Sequence, residues 1–147
     1  MFMGEYYYSL DPKGRLSIPS RFRQILEEKK ENRLVITRGM DKCLFIFPGY
    51  EWQIWENKIR SLPVTQSSTR SFVRIMLGGA CESILNKQGR ILISYSLRKY
   101  AEIDKEVVII GISNRIEIWD KNHWEQYVAN SEKSLEKISE DLGNFGF

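Results

Sequence analysis

The strongest constraint on how this 147-residue chain can fold is that it contains one pattern twice. Leu10-Asp11-Pro12-Lys13-Gly14-Arg15-Leu16-Ser17-Ile18 recurs as Leu85-Asn86-Lys87-Gln88-Gly89-Arg90-Ile91-Leu92-Ile93, an offset of 75 that continues through Phe22/Leu97 and Arg23/Arg98. A three-residue deletion then shortens the offset to 72. This lays Val35-Ile36 over Val107-Val108, Gly39 over Gly111, Ile46-Phe47 over Ile118-Trp119 and Trp52 over Trp124. The chain divides accordingly into a first repeat over 1–64, a connecting helix over 65–79, a second repeat over 80–130 and a C-terminal helix or tail over 131–147.

Both repeats share one outline. Tyr6-Tyr7-Tyr8-Ser9-Leu10 and Leu16-Ser17-Ile18 read as short strands flanking a tight turn. Asp11-Pro12-Lys13-Gly14 has the type I turn order of Asp first, Pro second and Gly fourth, and Asn86-Lys87-Gln88-Gly89 keeps the first and fourth positions. Pro19 opens a helix to about Lys29 whose apolar face is Phe22, Ile25 and Leu26. Strands near 34–38 and 43–47 follow, then a helix with Trp52, Trp55, Ile59 and Leu62 at helical spacing; the second repeat echoes them at 107–112, 116–119 and Trp124/Val128. The connecting helix turns Phe72, Ile75 and Met76 inward and Arg70 and Arg74 outward, and 131–142 predicts a polar helix with a narrow Leu135/Ile138/Leu142 stripe. The fold class is mainly β (α+β) with peripheral helices.

Composition narrows the function. With 42% hydrophobic and 28% charged residues the chain reads as soluble and globular, and no apolar run approaches the roughly 18 residues of a membrane span. No basic n-region and apolar h-region stand at the start, which together with two isolated cysteines, Cys43 and Cys81, leads to a cytoplasmic expectation. One histidine, His123, leaves no His pair for zinc, and Gly78-Gly79 lacks the Lys-Ser/Thr of a phosphate loop, so neither an enzyme, a metal nor a cofactor is expected. The net charge of +3 is unevenly spread: residues 1–74 hold 13 Lys/Arg and 8 Asp/Glu, whereas the remainder is faintly acidic. A basic half suits an anionic polymer, though an excess of this size is also ordinary for a surface.

A glycine followed by a cation at a hairpin tip is a good way to present charge. Gly14 can take a positive φ, and the Asp11 carboxylate can accept turn amides while orienting Arg15. So held, the Arg15 guanidinium is a planar fork suited to phosphate or to guanine O6/N7, and Lys13 adds a second cation. On one turn alone, Asp11 and Arg15 equally well only staple their own hairpin.

Taken over the whole chain, the sequence resembles the bacterial MraZ family, built from tandem AbrB-type swapped-hairpin β units. The likeness rests on Leu10 to Pro19, on Arg21-Phe22-Arg23, on Leu77-Gly78-Gly79-Ala80, on Gly89-Arg90, and on Glu106-Val107-Val108 and Glu117-Ile118-Trp119-Asp120. The resemblance implies two repeats interlocked into one pseudo-twofold globule. It also implies a transcriptional regulator, expected to be a repressor, that binds short direct repeats of double-stranded DNA upstream of the division and cell-wall gene cluster, its own promoter included. Ring-shaped homo-oligomers and association with the nucleoid come with it. The Asp-x-x-x-Arg motif carries over onto Asp11 and Arg15, and an arginine after the Pro-opened helix maps onto Arg23, with Arg21 beside it. In the second repeat Asn86 replaces the acid and Gln88 stands opposite Lys13, so that turn, organised by Asn86 and Gly89, is expected to have lost its tip cation. Arg90 is therefore expected to be the lesser reader. The competing expectation is an interaction scaffold or antitoxin-like module whose acidic tail, Ser131–Phe147, holds a partner.

Overall fold

The computed structural model describes residues 1–147 as two copies of one element string. The first copy runs β1 (Phe2–Ser9), β2 (Arg15–Ser17), α1 (Ser20–Glu28), β3 (Arg33–Arg38), β4 (Leu44–Pro48), α2 (Gly49–Arg60) and α3 (Ser67–Gly78). The second runs β5 (Cys81–Ile84), β6 (Arg90–Leu92), α4 (Tyr95–Tyr100), β7 (Glu106–Ser113), β8 (Arg115–Asp120), α5 (Lys121–Lys133) and α6 (Leu135–Asp141). Local chemistry sets the boundaries. Pro19 and Pro48 immediately precede α1 and α2, and the Ser94 hydroxyl and Asp120 carboxylate cap α4 and α5 by accepting from Leu97 N and His123 N.

Each repeat gives its first strand to the other. β1 pairs antiparallel with β7 over its whole length, and β5 pairs with β3, building a six-stranded sheet in the order β1-β7-β8-β4-β3-β5. β2 and β6 form a separate two-stranded ribbon. Leu16 faces Ile91 across that ribbon, and Phe45 faces Glu117 across β4–β8. Each of these residues faces its own counterpart, so the pseudo-twofold passes through both pairs. The interlocked mixed α+β fold follows from these registers.

The register also corrects the repeat alignment. Tyr7 faces Val108 as Glu82 faces Val35, which requires an offset of 73 through β3 and β7, not 72. At 72, Val35 would lie on Val107, yet the two point to opposite faces of the sheet and belong to different core clusters. A one-residue slip inverts every side chain, and similar Val/Ile strings cannot reveal it. The remaining residue is lost in the following turn, where a 3-10 turn at Met40–Lys42 contrasts with Ser113-Asn114 alone.

Two apolar layers result. Between sheet and ribbon lie Leu16, Ile18, Ile91 and Ile93 with Phe22, Leu26 and Leu97 of α1 and α4; Phe2 and Tyr6 meet the Phe22 ring edge-on at 5.2 and 5.1 Å. On the sheet's other face Val35, Phe47, Val108 and Trp119 are covered by Trp52 of α2, Met76 of α3 and Trp124 of α5. The stripe of α3 differs from expectation: Ile75 is exposed, and Thr69, Phe72, Val73 and Met76 face inward. Leu62 falls beyond α2 and is partly exposed. The helix expected over 131–142 is broken at Ser134, and its stripe faces solvent.

Candidate nucleic-acid interface

The ribbon presents its polar side outward. Because side chains alternate, burying Leu16 and Ile91 leaves Arg15 and Ser17 of β2, and Arg90 and Leu92 of β6, on the outer side. The turn before each strand is built as its sequence predicts. Gly14 N donates to Asp11 O at 3.0 Å, and Gly14 has φ +82°. Asp11 Oδ1 accepts the Lys13 and Arg15 amides at 2.9 and 2.8 Å, while its Oδ2 accepts from Arg15 Nε at 2.8 Å. The Arg15 amide foremost holds the Asp11 carboxyl below its usual range; burial opposes it next, and the Arg15 guanidinium and the Lys13 amide add to the lowering. With Nε anchored, Arg15 points a fixed fork outward.

The second turn keeps the shape without the charge. Arg90 N donates to Asn86 Oδ1 at 2.9 Å and Gly89 N to Asn86 O at 2.9 Å, with Gly89 at φ +75°. Deprived of an acid in its own turn, Arg90 reaches across the pseudo-twofold, its Nη1 lying 3.6 Å from Asp11 Oδ2. One carboxylate thus serves an arginine from each repeat. Arg90 is nevertheless the looser of the two, since its buried Nε has no partner. The expected loss of a tip cation is corrected: Lys87, where the first turn has Pro12, is exposed at the second tip.

The arginines within α1 and α4 cross over in the same way. Arg23 Nε donates to Ile18 O at 3.0 Å, and Arg98 Nε to Ile93 O at 3.1 Å. Each then lies over the other repeat's glycine. A Cβ on Gly89 would stand 2.7 Å from Arg23 Cδ, and one on Gly14 would stand 3.1 Å from Arg98 Cζ. Arg98 and Lys87 were missed as site candidates, although the alignment of Arg23 with Arg98 already carried the signal for the first. Arg21 and Lys13 are exposed, on the first turn of α1 and at the first hairpin tip.

The chain matches the family description "MraZ protein, putative antitoxin-like" twice, over residues 1–75 and 76–145. It is also 46% identical over 142 residues to a protein of Desulforamulus reducens (strain ATCC BAA-1160 / DSM 100696 / MI-1) named "Transcriptional regulator MraZ", covering 97% of each chain. The chain belongs to the MraZ family. As a member of that family the chain is a transcriptional regulator and not an enzyme. Burial, and next the nearby Glu117 charge, push the Cys43 thiol far above its usual range, while Sγ donates to Met40 O at 3.2 Å. His123 is half-buried at the start of α5 with its ring 5.1 Å from that of Trp119. No helix is long and apolar enough to cross a membrane.

Proposed function

We propose that this MraZ chain regulates transcription by binding double-stranded DNA, reading short direct repeats through the outer side of the β2–β6 ribbon. A two-stranded antiparallel ribbon fits the major groove, and Arg15 supplies the fork that recognises guanine or phosphate. The observation that carries the reading is Asp11 shared between Arg15 at 2.8 Å and Arg90 at 3.6 Å, which gathers a cation of each repeat at one carboxylate on the ribbon. Arg23, Arg21, Lys13 and Lys87 contact phosphates beside them. One copy offers few cations, so its affinity is weak and salt-sensitive; a ring of copies on a row of repeats gains avidity by effective concentration. The sites are the chain's own promoter and the division and cell-wall gene cluster, the effect is repression, and the protein works in the cytoplasm on the nucleoid.

Fluorescence-anisotropy titration on the upstream DNA of the chain's own gene tests this, with a scrambled duplex, Arg15→Ala, Arg90→Ala and two salt concentrations. Binding that is lost on scrambling, on Arg15→Ala and at higher salt is expected, with Arg90→Ala the milder change. Equal loss in both variants refutes the inequality of the repeats. Equal binding to both duplexes refutes sequence reading, and a salt-resistant protein partner without DNA binding favours the antitoxin-like scaffold.

A further inference from the structure

Of the side chains on the ribbon's outer side, Leu92 alone is apolar. Register sets them in two cross-strand pairs, Arg15 with Leu92 and Ser17 with Arg90. At the offset of 75 that relates the two hairpins, Leu92 is the counterpart of Ser17. The same exchange recurs just beyond the ribbon, where Tyr95 at the start of α4 stands for Ser20 at the start of α1. Leu92 is 55% exposed and Tyr95 70%. A lone exposed leucine is ordinary on a surface, so its place has to decide what it does.

Because each hairpin is flanked by the other repeat, both apolar residues come to lie around the first turn. Leu92 is the partner of Arg15 across the ribbon, and Arg98, which lies over Gly14, has its Cζ 5.8 Å from the centre of the Tyr95 ring. The second turn has Ser17 in the equivalent place, across from Arg90. The Leu92 backbone is fixed, its amide donating to Ser83 Oγ at 3.2 Å, while its side chain points away from the core that Leu16 and Ile91 join.

We infer that Leu92 sets sequence specificity in the DNA reading proposed above, on which the inference rests, by packing on the C5-methyl of a thymine beside the base held by Arg15. A leucine offers neither donor nor acceptor, and the thymine methyl is the apolar group that base pairs show in the major groove. Residues directly opposite in an antiparallel pair have Cβ atoms about 4.5–5.5 Å apart, close enough to the roughly 3.4 Å between stacked bases for Arg15 and Leu92 to meet neighbouring base pairs. Over another base, Leu92 covers polar edge atoms without pairing them, which carries a penalty. The other pair asks for something different, since the Ser17 hydroxyl both donates and accepts and so tolerates either kind of edge. One copy thereby reads an asymmetric box, selective at Arg15–Leu92 and tolerant at Arg90–Ser17. A box of that kind has a direction, as direct repeats require.

Deoxyuridine tests this, because it lacks only the methyl and pairs as thymine does. The full chain is titrated by fluorescence anisotropy on the upstream duplex, on the same duplex with every thymine replaced by deoxyuridine, and on the scrambled duplex. The wild type is expected to bind the deoxyuridine duplex about fourfold more weakly for each copy engaged, the effect of leaving one methyl-sized group unburied. Leu92→Ser, which installs the first repeat's residue, is expected to bind both forms alike, at the wild type's affinity for deoxyuridine. Leu92→Met keeps the thymine preference, and so does Tyr95→Ser, which lies off the ribbon. All of these changes are at exposed positions, and thermal melts close to wild type check folding. A wild type that tells the upstream duplex from the scrambled one, yet binds the thymine and deoxyuridine forms equally, overturns the methyl contact and leaves the ribbon's reading standing. A Leu92→Ser variant that retains the thymine preference does the same. Equal binding to the upstream and scrambled duplexes overturns both.

Discussion

Replacing Asp11 with Asn isolates the carboxylate's charge from its role in the turn. The second repeat already demonstrates the outcome for the backbone, since Asn86 Oδ1 accepts the Arg90 amide at 2.9 Å and the turn closes with Gly89 at the same positive φ. Asp11→Asn therefore keeps the hairpin, and the melting temperature stays close to wild type. What disappears is the anchor on Arg15 Nε at 2.8 Å and the attraction on Arg90 Nη1 at 3.6 Å. Both guanidiniums are freed and the face gains one unit of positive charge. General DNA affinity at low salt consequently holds or rises, while discrimination falls. An oriented bidentate arginine distinguishes the right base by about five- to a hundredfold, and most of that depends on the fork being held. Anisotropy titrations on the upstream and scrambled duplexes should show the affinity ratio dropping by roughly tenfold. Unchanged discrimination would refute the argument and reduce Asp11 to a turn residue. The pH dependence has a defined sign: Asp11's pKa is lowered on folding, so its contribution is complete above about pH 4 and fades as pH falls through the folded value. Asp11→Asn removes that acid limb.

The other perturbations follow from the same geometry. Asn86→Asp gives Arg90 Nε, now without a partner, the acceptor that Arg15 has; calorimetric melting should show a higher midpoint, and anisotropy weaker low-salt binding from the added negative charge. Gly14→Ala and Gly89→Ala both place a Cβ at positive φ, but the first meets the Ile93 carbonyl at 2.9 Å and the second only the movable Arg23 chain. Gly14→Ala should thus cost about 1–2 kcal/mol more in urea unfolding, whereas Gly89→Ala chiefly displaces Arg23 and weakens DNA binding. Gly111→Ala drives a methyl into the Met3 amide where β1 crosses β7, and should lower stability by about 3 kcal/mol or prevent folding, read by the same unfolding curves.

Much of this arrangement was legible because turns announce themselves locally. Asp11, Gly14, Asn86 and Gly89 sit at the positions where their backbone and side-chain chemistry is needed, so the hairpins and the outward arginines follow from residue type. Partners across the pseudo-twofold were not legible in this way. Arg90 lies in sequence beside Asn86, and only the swapped pairing of β2 with β6 brings it to Asp11. The 73-residue offset of β3 and β7 was hidden for a related reason: parity is a property of the sheet, and Val35-Ile36 matches Val107-Val108 as letters while pointing the wrong way. The break at Ser134 left no signal in the apolar spacing, which runs through it uninterrupted.

Joining the two units in one chain also explains why they differ. In a pair of identical single units, any residue on the twofold meets a copy of itself. Here the axis passes between Phe45 and Glu117, and the pair is resolved by unlike chemistry: Arg115 lies 4.4 Å over the Phe45 ring and donates from Nη2 to Glu117 Oε2 at 2.8 Å. Trp119 Nε1 donates to the same carboxylate at 3.1 Å. A Phe–Phe or Glu–Glu pair at that position would leave the guanidinium without a carboxylate or two carboxylates in conflict. The turns obey the same logic. With Asp11 able to reach both arginines, an acid at residue 86 is dispensable, and Asn in its place preserves the turn while leaving the ribbon's outer side one negative charge fewer. Asymmetry in this chain is thus a consequence of covalent fusion acting at the two places where the repeats touch their own counterparts.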